Sequence, residues 1–213
     1  MSNDVSIQLF NQTDDQELYI CVFQKPDEAN PNEIYTTLFP VAWKILALGP
    51  KQTSDPIIYP IQLQMSVAES QDAKNAIHRT TYQDCDEGQI WSFERPGMFS
   101  DVTLKTGKSP EGEVVVQNNS QEKVDIGLAK NGTNLVVKKN VIEGDQAVFQ
   151  LTPTLYFLAA SDLQMGDLIR SDDITEKAFS LSLTDLASAD VTVYTADHLS
   201  GKLAWKATNK VSV

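Results

Sequence analysis

Acid-base and metal chemistry need imidazole, thiolate or carboxylate groups that converge, and this chain supplies imidazole only at His78 and His198. Neither lies in a ligand-spacing motif such as His-Glu-x-x-His, and both read as surface residues. The acidic groups Asp14-Asp15, Asp84 to Glu87 and Asp172-Asp173 have the oxygen-rich character that suits calcium, yet none follows the EF-hand spacing. With a net charge of -12, solvated acidic surface is the simpler reading.

Nucleophilic chemistry fares no better. No Gly-x-Ser-x-Gly elbow occurs. Cys21 stands within Tyr19-Ile-Cys-Val-Phe23, on the strand face opposite Leu18, Ile20 and Val22, which fits a small packing residue or a contact between modules. Cys85 lies among Asp84, Asp86 and Glu87, whose charges oppose thiolate formation. Gly107-Lys-Ser109 resembles the end of a phosphate-binding loop, but Val102 stands where that loop needs its first glycine. The expectation is a protein that is not an enzyme, with no catalytic, cofactor-binding or metal-binding residues and no cofactor.

The Asn-x-Ser/Thr triplets at Asn11, Asn118 and Asn131 read as turns, with Asn11 and Asn118 in equivalent hairpins and each side chain bonding its own turn backbone. Trp43, Trp91, Trp205, Tyr35, Tyr59 and Tyr156 are candidates for a sugar platform. Alternation puts Trp91 and Phe93 on one face, the pattern of a core.

The elements that would position these residues are strands. Leu18, Ile20 and Val22 alternate, as do Val124, Ile126 and Leu128. Turn signals at Asn11 to Asp15, Gly49-Pro50, Glu87-Gly88, Pro96-Gly97, Asn131-Gly132 and Glu143-Gly-Asp145 are spaced as in a β-sandwich. Asn131-Gly132 is the clearest hairpin, since both central residues of its turn need positive φ.

The runs also recur. Ser6 to Gln24, a strand, a polar turn and a strand, is matched by Glu113 to Ala129. Asp55 to Ala68 is matched by Asp145 to Ala159, each with a proline between two strand-like runs. Pro60 and Pro153 therefore read as corners where the chain changes sheet. The spacing of matched features drifts from about 107 to about 93 residues, which points to an insertion in the first copy at Pro26 to Leu38. Pro26 to Thr37 reads as a long loop. Ser161 to Asp190 departs from the strand pattern, and Thr184 there suits the cap of a single helical turn.

The expected fold is all-β, two tandem related antiparallel β-sandwich modules at residues 1–107 and 108–213, with a boundary near Pro96-Gly97 as the competing choice. A chain of 213 residues with 41% apolar and 22% charged side chains has enough material for one large core or two small ones. Its 17 basic and 29 acidic residues repel nucleic acid and anionic membranes. The longest apolar run, Val41 to Leu48, is interrupted by Lys44 and is too short to span a bilayer, so no integral membrane association is expected. The start lacks the basic and apolar segments of a secretory signal. That suggests a cytoplasmic protein, or one released by a route that needs no N-terminal signal peptide.

Cys21-Val-Phe-Gln-Lys25, Ala42-Trp-Lys44, the repeated Asn-x-Ser/Thr hairpin, Phe149 to Tyr156 and Gln164-Met-Gly-Asp167 resemble a group of small bacterial proteins typified by the rhizosphere-expressed protein RhiA. The resemblance implies a bacterial source and expression tied to population density or host association, and supplies no catalytic residue. The first functional expectation is a structural or interaction protein that contacts copies of itself or a protein partner through strand edges. The alternatives are a carbohydrate-binding module and, behind it, a membrane-acting toxin that would use Val41 to Leu48.

Overall fold

Alternation of apolar and polar residues becomes strand at Leu18, Ile20 and Val22 and again at Val124, Ile126 and Leu128. The structure is a computed structural model that describes residues 4–27, 33–69, 80–96, 100–171, 178–197 and 199–213. His78, His198, Gly97 and Asp172-Asp173 lie outside the described residues, as do 28–32 of the expected loop. The fold is all-β. In chain order the strands are β1 (Val5–Asn11), β2 (Leu18–Pro26), β3 (Leu38–Pro40), β4 (Lys44–Leu48), β5 (Ile57–Tyr59), β6 (Leu63–Glu69), β7 (Thr80–Cys85) and β8 (Ile90–Glu94). There follow β9 (Asp101–Leu104), β10 (Glu113–Asn118), β11 (Val124–Lys130), β12 (Thr133–Val141), β13 (Gln146–Ala159), β14 (Phe179–Ser182), β15 (Leu186–Asp197) and β16 (Lys202–Ser212).

One sheet has the order β16-β15-β1-β5 and another β3-β12-β11-β6-β7. The third runs β4-β2-β13-β10-β8-β9, with β14 also on β13. Two relationships recur among these pairs. β1 is parallel to β15 and antiparallel to β5, and β10 is parallel to β8 and antiparallel to β13. β2 lies between β4 and β13, and β11 lies between β12 and β6.

The apolar faces meet in two main cores. The first joins Ile7 and Leu9 of β1 and Val191 and Val193 of β15 to Ile20 and Val22 of β2 and to Leu155 and Phe157 of β13. The second joins Met65 and Val67 of β6, Trp91 and Phe93 of β8, Val114 and Val116 of β10 and Ile126 and Leu128 of β11 to Phe149 of β13. Each large apolar side chain taken out of water stabilises the fold by roughly 1.5–3 kcal/mol, so these faces decide which strands meet. Neither core is confined to one side of residues 107–108.

Both prolines stand where the chain passes from one core to the other. β5 belongs to the β1 sheet and β6 to the β11 sheet, with Pro60 between them. In β13 the first half pairs with β10 and the second with β2 and β14, with a register break between Leu151 and Leu155 around Pro153. A residue without an amide proton interrupts the ladder where the strand must bend.

Asn131 (φ 50°) and Gly132 (φ 68°) form the expected hairpin turn between β11 and β12. Around Thr184 the structure corrects the expectation of a helical turn. Leu186 N–H donates to Leu183 O at 3.2 Å, and Asp185 takes φ 54°, so the segment is a tight turn from β14 into β15. β2 is buried on both faces, because Cys21 and Phe23 pack with Ala42, Leu158 and Ile169 in a third cluster. The thiol of Cys21 is thus a core group.

Candidate functional site

Where the chain crosses between cores, two long polar side chains hold the crossing backbone. Lys130 ends β11 and is 5% exposed. Its ammonium donates to the carbonyls of Pro60 (2.5 Å) and Ile61 (2.9 Å), with Gln62 O at 3.5 Å. It also lies over the Tyr59 ring, 4.6 Å from the centroid. Gln24 comes near the end of β2 and donates through Nε2 to Thr152 O at 2.5 Å. Its Oε1 accepts from the Tyr59 hydroxyl. Trp43 stands behind them, edge-on to Tyr59 and donating from Nε1 to Lys130 O at 3.3 Å.

These groups form one wall of a cavity of about 540 Å³ at the seam between the cores. The rest of the lining is mainly apolar and includes Val5, Leu63, Val114, Leu128, Leu151 and Leu183. Gly112 also belongs to this wall, and exposed Asp86 and Glu87 stand at the rim. Burial pushes the Lys130 ammonium down to about 8, while the carboxylates of Asp4 and Glu87 pull it back up. Burial likewise raises the Tyr59 phenol, whose hydroxyl donates to Gln24.

Cys85 also lines this cavity. Its thiol is pushed up to about 12, first by burial and then by Asp86 and Asp84. The neighbouring acids were legible in the sequence, but the larger cause is the burial that only the fold creates. Burial and the neighbouring carboxylates thus disfavour the thiolate, the nucleophilic form. Gln24 and Lys130 escaped the sequence reading, whereas Tyr59, a candidate there for a sugar platform, is buried in this wall. The available signal was that Lys130 continues the alternation of Val124, Ile126 and Leu128 as Gln24 continues that of Leu18, Ile20 and Val22.

The matched asparagines anchor their turns in the same way. Asn11 Oδ1 accepts from the amide (3.0 Å) and hydroxyl (2.7 Å) of Thr13, and its Nδ2 donates to Gln16 O and Leu48 O. Asn118 Oδ1 accepts from the amide (3.0 Å) and hydroxyl (2.6 Å) of Ser120, and its Nδ2 donates to Glu122 O and Val141 O.

Trp43, Tyr59, Trp91 and Phe93 are buried, and Trp205 and Tyr156 pack against the cores. Exposed rings are found instead at Tyr19 and Tyr82. Asp14 pairs with Lys51 at 2.7 Å, and Asp84 accepts from Gln64. Among the described residues no three His, Cys, Asp or Glu side chains are grouped to hold a metal ion. No helix among them is long and apolar enough to cross a membrane.

The sheets also have open margins. β4 is an edge strand, Lys44-Ile-Leu-Ala-Leu48, paired with β2 without a register break. β16 is the longest edge, but three breaks interrupt its register with β15, Asn209 takes φ 49°, and Lys202, Lys206 and Lys210 punctuate it. Bulges and lysines are the devices that keep an edge from pairing with another chain.

An all-β chain with asparagine-anchored turns and a polar seam defines the class by architecture. Within that class the family is shown by comparison: the RhiA family model matches residues 3–199, and this chain belongs to that family. No curated protein and no solved structure gives a significant match.

Proposed function

We propose that this is a non-catalytic interaction protein that associates with a second copy of itself through the edge of β4. The observation that carries the reading is the contrast between two edges. β16 has register breaks and lysines along its length, whereas β4 has an unbroken register, a single charge at its first residue and a strongly apolar sequence. Two such edges brought together antiparallel would extend the sheet by backbone hydrogen bonds.

The scaffold behind this edge is read as a duplication, residues 1–107 and 108–213, whose copies exchange halves. The support is the paired geometry. Asn11 and Asn118 have matching bonds, β1 and β10 have matching neighbours, and Gln24 and Lys130 each reach the crossing segment of the other copy. Each sandwich then takes its first strands from one copy and its last from the other.

Light scattering behind size-exclusion chromatography over a hundredfold concentration range tests the association. The expected result is a mass rising from 23.6 kDa to twice that value, and a return to 23.6 kDa with Ala47→Lys on the exposed part of β4. A monomer at every concentration, or a dimer that Ala47→Lys leaves intact, overturns the reading.

A further inference from the structure

The seam cavity has a chemistry of its own, independent of the edge of β4. Its volume of about 540 Å³ lies in the range of small-molecule sites. Its polar wall, however, is already satisfied. The ammonium of Lys130 is directed at backbone carbonyls, the Tyr59 hydroxyl donates to Gln24, and Gln24 donates to Thr152. An incoming anion would find its best cation engaged.

What remains open to a ligand is the apolar lining and a rim of acceptors. Asp86 accepts one bond from Gln89, at 3.1 Å through Oδ2, and Glu87 is exposed beside it. Asp4 and Glu87 lie within electrostatic range of Lys130, so one positive charge faces three carboxylates around the seam. The net charge of -12 adds a long-range field of the same sign.

We propose that the seam cavity binds a small apolar molecule bearing an ammonium group, its hydrocarbon body between Val5, Leu63, Leu151 and Leu183 and its charged end at Asp86 and Glu87. The lining excludes water from the body, and the rim selects the sign of the head. Carboxylates in contact with solvent give a modest preference, so the cationic form should exceed the neutral one by about 3- to 10-fold.

Calorimetric titration of the full chain at pH 7 with n-octylammonium, 1-octanol and octanoate tests this. The expected result is saturable one-to-one binding of octylammonium, weaker binding of octanol and weakest binding of octanoate. Glu87→Gln, on an exposed side chain, should lower octylammonium affinity towards that of octanol. Leu183→Trp, which fills the cavity from its margin, should remove binding of both, with melting temperature read alongside to show that the variant is folded. Octanoate binding as tightly as octylammonium, equal affinity for octylammonium and octanol, or no saturable binding of any probe overturns the proposal. So does unchanged affinity in Glu87→Gln, which does not depend on Leu183→Trp folding.

Discussion

Gln24 and Lys130 face the same task from opposite sides of the seam: Gln24 holds the carbonyl of Thr152 and Lys130 holds that of Pro60, each at 2.5 Å. Both carbonyls belong to the short segments where the chain leaves one core for the other. The two side chains differ in what their removal does. Gln24→Leu leaves the Tyr59 hydroxyl and Thr152 O without partners and should cost about 1–3 kcal/mol in urea unfolding at pH 7. Lys130→Met also leaves carbonyls unpaired but removes a buried charge with its desolvation penalty, so its loss at pH 7 should be the smaller of the two. The opposite ranking would show that the ammonium is the stronger clamp.

Lys130 also sets a pH dependence. Its folded value, about 8, lies below the ordinary 10.5, so above pH 8 the unfolded chain holds a proton that the folded chain has released. Stability from this group therefore rises as pH increases from 8 towards 10.5. Cys85 acts in the other direction. Its thiol titrates near 12 when folded and near 9 when unfolded, so the folded chain keeps the proton and stability falls from pH 9 upward. The wild type should gain about 1 kcal/mol between pH 8 and 9 and then level off. Cys85→Ala should keep gaining to about pH 10, and Lys130→Met should show no rise. Urea midpoints across this range measure all three.

Asn118→Asp retains the acceptor that binds Ser120 and replaces the donor that binds Glu122 O and Val141 O. A carboxylate oxygen would then face two carbonyl oxygens in a buried position. The expected loss is about 2–4 kcal/mol, with the same loss for Asn11→Asp. Thermal unfolding of the two variants checks the equivalence. A large effect at one site and none at the other would break it.

Residues 1–107 and 108–213 offer a direct test of the exchange. If each sandwich draws on both copies, neither fragment produced alone has a complete core, and both should be insoluble or unfolded. Produced together they should form a one-to-one complex with the circular dichroism of the intact chain. Two fragments that fold separately would show tandem modules that merely touch.

The sequence shows its local chemistry more readily than its long-range pairing. Alternation at Leu18, Ile20 and Val22 fixed the face that enters the first core, and the positive-φ demand of Asn131-Gly132 fixed a hairpin. The prolines were readable as corners because a missing amide proton has the same effect anywhere. That β1 lies beside β15 was not readable, since strands of similar composition compete and only the complete packing chooses between them. Lys130, beside a polar turn, has every local sign of an exposed lysine. Its burial depends on the carbonyl of Pro60, 70 residues away.

The parallel pairing of Ser6 with Ser188 and of Asn11 with Val193 orders events during synthesis. β5, on the antiparallel side of β1, is made soon after it, yet β15, on the parallel side, emerges only after all the strands from β2 to β14. Until then the apolar side of β1 and β2 waits for β13 and β15, and loop closure over so long a span makes the final step slow. The nascent chain is thus exposed to aggregation until β15 has emerged, and slower translation of the stretch from β13 to β15 would lengthen that interval.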